Sequence, residues 1–197
     1  MLYRQLGRTG IDVSCISFGA GPVSGWAKSK NVHEQIAVVK HAVDVGMNWF
    51  DTAATYGEGQ SETALGRALV EIGAFDQVHV ASKVRLNEES ISDIRGFVLR
   101  SFTESLKRLQ CERVTLLQLH NSITAVRGDQ PTSITPDDVL GPNGVLAAFE
   151  ELRSSGVVRF LGLTGLGDAK SMKDVIHSGR FDTVQTPYNL LNPSAGQ

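Results

Sequence analysis

The sequence has 197 residues, 41% of them apolar and 20% charged, and its 19 basic and 21 acidic side chains leave a formal net charge of −2. This mixture excludes a chain whose main state is disorder, and the near balance of charge excludes the basic field that would draw it to nucleic acid or an anionic membrane. No apolar run approaches the roughly 18–20 residues of a membrane span, the first residues carry no apolar signal core, and two cysteines, Cys15 and Cys111, make no disulfide framework; a single domain in the reducing cytoplasm is expected.

In chain order, Leu2 to Leu6 and Ile11 to Ser14 read as two short strands joined at Gly7-Arg8-Thr9-Gly10, an N-terminal hairpin over residues 1–14. Cys15 to Gly19 follows as a short apolar strand. Asn31 with Glu34 reads as a capping box, opening a helix that buries Ile36, Val39 and Val43 and stops at Gly46. Met47 to Asp51 is the next strand. Ser61 is expected to cap a helix with Leu65, Leu69 and Ile72 on one side, and Val78 to Lys83 is the strand after it. Ser90 with Asp93 opens a long helix carrying Ile94, Val98, Phe102, Leu106 and Leu109, followed by a strand from Val114 to His120.

The stretch 122–144, rich in Thr, Ser, Pro, Asp and Gly, is a long strand-to-helix loop, with a helical turn expected where Thr135 precedes Pro136. Leu146, Phe149 and Leu152 mark the next helix, Val157 to Thr164 a strand, Asp168 to about His177 a helix, and Thr183 to Tyr188 a last strand. Glycine supports this punctuation: its 20 copies fall where helices stop and strands end.

Six apolar strands alternating with helices describe a parallel sheet buried on both faces. Two architectures compete for that pattern, an open doubly wound sheet and a (β/α)8 barrel. The first helix lacks a G-x-G-x-x-G opening, since Gly19-Ala20-Gly21 and Gly57-Glu58-Gly59 have no third glycine in place. Polar residues do mark successive strand C-terminal ends, namely Asp51, Lys83, His120, Thr164 and Gln185, the edge on which barrels build their sites.

Chemistry concentrates in Asp51, Tyr56, Lys83 and His120. A phenol with a reference pKa of about 10 exchanges its proton poorly at neutral pH, and a neighbouring ammonium stabilises the phenolate. Lys83 can supply that charge if a carboxylate such as Asp51 keeps it protonated, and His120 can donate a hydrogen bond to a polarised oxygen. Such a group suits proton transfer coupled to hydride transfer. Taken singly each has a structural reading: Asp51 as a loop cap, Tyr56 as a loop aromatic, Lys83 as a solvated strand end, His120 as a satisfied histidine. Their arrival at three successive strand ends favours the functional one. Trp26, after the first strand, lines a substrate pocket or packs on the surface. The remaining histidines show no metal spacing, so no metal is expected.

The stretch Asp51-Thr52-Ala53-Ala54-Thr55-Tyr56-Gly57-Glu58-Gly59-Gln60-Ser61-Glu62, continued by Leu65-Gly66, resembles the signature of the aldo-keto reductases. Tyr3-Arg4-Gln5-Leu6-Gly7-Arg8-Thr9-Gly10 with Phe18-Gly19 resembles that family's N-terminal hairpin and first strand, and Ser82-Lys83, Leu117-Gln118-Leu119-His120 and Val184-Gln185 resemble its later strand ends. The resemblance implies a TIM (β/α)8 barrel with an N-terminal hairpin, residues 1–197 forming a single, incomplete domain with about six of the eight units. It also implies a reductase that interconverts a small-molecule carbonyl or sugar with its alcohol, using NADPH rather than NADH. By position, Tyr56 becomes the general acid, Lys83 its partner, Asp51 the partner of Lys83 and a neighbour of the cofactor, and His120 the orienter of substrate. Thr164 and Gln185 become contacts of the nicotinamide carboxamide. Many members have Ser-Asn where this chain reads Thr164-Gly165. A cofactor-binding regulatory protein and an inactive fragment are the alternatives.

Overall fold

The structure, a computed structural model, describes residues 1–196. Six parallel strands lie in chain order: β3 (Phe18–Gly19), β4 (Trp49–Asp51), β5 (His79–Val84), β6 (Val114–Leu119), β7 (Val158–Thr164) and β8 (Thr183–Gln185). Each crossover is helical: α1 (Val32–Asp44), α2 (Gln60–Glu71), α3 (Ile94–Leu109), α5 (Val145–Ser154) and α6 (Ala169–His177). A short α4 (Pro136–Leu140) sits in the loop after β6, started as expected by Thr135, whose side chain and that of Asp138 cap each other's backbone N–H.

The sheet curls, and side chains from alternate strands meet on its concave face. Gln118 of β6 reaches Asp51 of β4 and Gln185 of β8, each two strands away and so about 9.6 Å distant in a flat sheet. Layers drawn from alternate strands are the packing of a barrel interior. The sheet present is therefore a curved wall of six strands. The outer face carries the apolar core, in which Phe50, Phe102, Phe149, Leu65, Leu69, Leu109 and Leu161 are fully enclosed.

Two sequence expectations shift. Gly59, in left-handed backbone at φ 87°, caps α2, and Ser61 lies inside the first turn. Its hydroxyl donates to the Ala20 carbonyl at 2.7 Å, and having one proton it accepts from the Thr52 hydroxyl at 2.7 Å, tying the ends of β3 and β4 together. Likewise Ser90 caps with Asn87 a 3-10 turn (Glu88–Asp93), while Asp93 caps α3 by accepting from the Gly96 N–H. At Gly66 a Cβ would stand 2.3 Å from the Leu109 carbonyl oxygen, so the glycine lets α2 cross α3 at backbone contact.

The hairpin, β1 (Tyr3–Gln5) against β2 (Asp12–Ser14), lies at the strand N-terminal ends. Tyr3 donates its hydroxyl proton to the Gly46 carbonyl at 2.8 Å. Arg8 reaches much further, donating to the carbonyls of Gly179 and Phe181 at 3.1 and 2.8 Å in the turn before β8. The hairpin thus bridges the first unit and the sixth.

Candidate active site

The turn from β4 into α2 carries Asp51 and Tyr56 and is pinned along the end of β5: Thr52 N–H donates to the Ala81 carbonyl at 2.9 Å and Ala54 N–H to the Lys83 carbonyl at 3.2 Å. It then passes through three successive left-handed residues, Gly57, Glu58 and Gly59. Such a run is costly for a side chain such as that of Glu58 and persists only where its surroundings enforce it. Arg108 of α3 enforces it from outside. It donates to the fully buried Glu62 carboxylate at 2.7 Å and lies where a Cβ on Gly59 would approach its Cδ to 2.6 Å. Glu62 in turn accepts from Ser82, the neighbour of Lys83 on β5.

Lys83, 2% exposed, uses all three ammonium hydrogens: on the Asp51 carboxylate, on the Thr52 carbonyl at 3.0 Å and on the Tyr56 hydroxyl oxygen at 3.3 Å. An ammonium only donates, so the phenol oxygen accepts here and its own proton is left to point elsewhere. Burial pushes the Asp51 carboxyl above its ordinary range, and the Lys83 charge with hydrogen bonds from Lys83, Gln118 and Gln185 holds it back.

His120, just past the end of β6, stands edge-on to the Tyr56 ring with centroids 5.6 Å apart. Burial, helped by the Arg85 and Lys83 charges, lowers its pKa to about 4, so the ring is neutral at pH 7. Its Nδ1 is enclosed and meets no partner among the described residues. A buried orphan acceptor is more readily tolerated than a buried orphan donor, which assigns the proton to Nε2 and makes that nitrogen a donor. Asp51, Tyr56, Lys83 and His120 are therefore brought together at one edge of the sheet.

The other expected residues are placed differently. Thr164 is buried, and its hydroxyl is already donated to the Leu119 carbonyl at 2.9 Å. At Gly165 a Cβ would stand 3.0 Å from Thr186 Cβ and Oγ1, so a larger side chain requires Thr186 to shift by a few tenths of an ångström. Trp26 is buried, its indole edge-on to Phe18 at 5.3 Å and donating to the Gln35 carbonyl at 3.2 Å. Gln185 is exposed at the end of β8. Sequence reasoning passed over Gln118, 2% exposed and bonded to both Asp51 and Gln185. A lone amide in the apolar run Leu116-Leu117-Gln118-Leu119 was the available signal, because a strand buried on both faces admits a polar side chain only with partners.

Fold and site together define an α/β protein with a curved parallel sheet and a cluster of Asp51, Tyr56, Lys83 and His120 at its strand ends. A model of the aldo/keto reductase family matches residues 15–196, and the chain belongs to that family. It is 34% identical over 165 residues to the L-galactose dehydrogenase of Arabidopsis thaliana, covering 83% of this chain and 48% of that protein. It is 30% identical over 197 residues to the aldo-keto reductase YhdN of Bacillus subtilis, covering 97% and 55%. Among solved structures it resembles a thermostable aldo-keto reductase in complex with the inhibitor epalrestat, with TM-score 0.75 and 26% identity, over 98% of this chain and 64% of that one. The chain thus spans about half the length of the curated relatives it matches.

Proposed function

We propose that this chain carries the reacting half of a nicotinamide-dependent carbonyl reductase, NADPH being the preferred cofactor. In the whole protein the barrel has eight units, of which this chain supplies six. The observation that carries the reading is the Lys83 ammonium, buried and shared between the Asp51 carboxylate and the Tyr56 hydroxyl oxygen, beside a neutral His120.

The residues present fit the reacting end of such a cofactor, since Gln185 offers an exposed amide beside Asp51 and next to the same strand ends. When bound, a reduced nicotinamide supplies a hydride to a carbonyl carbon. Tyr56 delivers the balancing proton to the carbonyl oxygen, and Lys83 stabilises the phenolate left behind. His120 donates from Nε2 to that same oxygen, orienting it and favouring the charge that develops there. Asp51 offsets the cost of burying the Lys83 charge and holds the ammonium in place. A protein that only held the cofactor would need none of this proton machinery. The substrate class we assign is a small aldehyde, ketone or sugar, and a sugar accords with similarity to a protein named for L-galactose.

The test is NADPH consumption, followed by absorbance, across aliphatic aldehydes, ketones and aldoses, with Tyr56→Phe in parallel. Substrate-dependent consumption that falls by roughly 10²–10⁴-fold in kcat in the variant, with NADPH binding kept, is the expected result. A variant that retains its turnover removes Tyr56 from the role.

A further inference from the structure

We infer that Gln118 is a positioning residue that fixes which face of the Gln185 amide is offered to a ligand; the inference rests on the reading above. In the sheet register Lys83, Gln118, Gly162 and Thr183 form one row across β5, β6, β7 and β8. Gly162 opens the way along it, because a Cβ there would stand 3.0 Å from Gln118 Cγ and 2.6 Å from Thr183 Oγ1. The Gln118 side chain passes over β7 at this gap, and its Nε2 lies 3.4 Å from Asp51 Oδ2 and 3.3 Å from Gln185 Oε1.

The polarity of this chain of bonds is determined at its inner end. Asp51, paired with the Lys83 ammonium, is a carboxylate and can only accept. Gln118 must therefore present its NH2 group inward, toward Asp51. The second hydrogen of that group requires an acceptor, and the atom within reach is the oxygen of Gln185. With its oxygen held inward, Gln185 shows its NH2 group to the mouth of the site. One hydrogen of that group leans on the Asp51 charge, and the other is available to a ligand. The ion pair is thus relayed through two neutral amides to the exposed end of β8, and the site offers a donor there. It selects a ligand that brings a carbonyl-type acceptor, which in a nicotinamide is the carboxamide oxygen.

The experiment is a double-mutant cycle on NADPH affinity, read by fluorescence titration of the whole chain, with Gln118→Met and Gln185→Leu made singly and together. Gln118→Met keeps the length of the side chain and removes the amide. Each single change is expected to weaken binding about 5–10-fold, the worth of one hydrogen bond. In the Gln185→Leu background Gln118→Met should then add less than about 2-fold, because its effect runs through Gln185. Losses that multiply in the double variant would overturn the inference, as would full affinity in Gln118→Met.

A second readout needs no cofactor. The Gln185 side-chain NH2 signals in a 15N correlation spectrum, identified by their disappearance in Gln185→Leu, should move in Gln118→Met while the backbone amide signals keep their dispersion. Unmoved signals overturn the inference whatever the titration shows. Gln118→Asn, which withdraws the amide by one methylene, serves if the Met variant does not fold, with the same expected shift. Wild-type protein that fails to bind NADPH but shows the amide shift upholds the relay and counts against the cofactor reading alone.

Discussion

The middle of the sheet and its last strand exist in different physical states. In β5, β6 and β7 nearly every residue is enclosed between the helices and the concave face. In β8 the pattern breaks: Val184 is 39% exposed, and beyond it Leu190 and Leu191 are almost wholly exposed. The difference lies in neighbours. A central strand has a partner on both sides, whereas among the described residues β8 pairs with β7 alone. The candidate site straddles this divide, with Lys83 and Asp51 on the enclosed side and Gln185 on the open one.

That contrast can be broken most severely at Lys83. Lys83→Met leaves the Asp51 carboxylate buried without its counter-ion, and breaking such a pair costs about 3–5 kcal/mol. Urea unfolding measures the loss, and a cost below 1 kcal/mol would mean that water reaches the pair. Phe149→Ala, in the core behind β7, should cost about 3–5 kcal/mol in the same assay. Gly66→Ala should cost about 1–3 kcal/mol by pushing α2 off the Leu109 backbone, an overpacking effect that a lowered Tm reports.

A gentler test uses pH. His120 titrates near 6.5 when unfolded and near 4 when folded. Between those values the unfolded chain takes up a proton that the native chain refuses, so stability falls as pH drops from 6.5 toward 4. The raised Asp51 carboxyl acts in the opposite sense. Comparing wild type with His120→Asn isolates the histidine, and the variant should show the flatter decline. At the open edge Leu191→Ala should change stability by less than about 0.5 kcal/mol. A larger loss would show that the residue is covered in solution, and the edge would no longer differ from the centre.

Much of this was legible in the sequence. The strand–helix alternation and the strand-end positions of Asp51, Lys83 and His120 follow from periodicity and turn residues, because enclosed parallel strands need continuous apolar runs. Strand limits were less legible. Cys15 to Gly19 reduces to Phe18–Gly19 and Thr183 to Tyr188 to Thr183–Gln185, since pairing on one side supports fewer residues than composition suggests. Ser61 carried a cap signal that tertiary partners claimed, and Ser90 caps a local 3-10 turn with Asn87 in place of the helix. The burial of Trp26 against Phe18, with its indole N–H on the Gln35 carbonyl, was not legible, because these partners come from other elements. The Glu62–Arg108 clamp was hidden because its partners lie 46 residues apart.

The reach of Arg8 has a consequence in time. Its acceptors, Gly179 and Phe181, are 171 and 173 residues further along. At a synthesis rate of about 5–20 residues per second, the hairpin waits roughly 10–35 s for the turn it will hold. Its strands can pair at once, but its docking onto that turn must wait until residue 181 has been made. Contacts made after the transition state govern escape rather than arrival. Arg8→Ala should therefore leave the refolding rate unchanged and quicken unfolding, so that a residue at the very start of the chain acts as a latch on its lifetime.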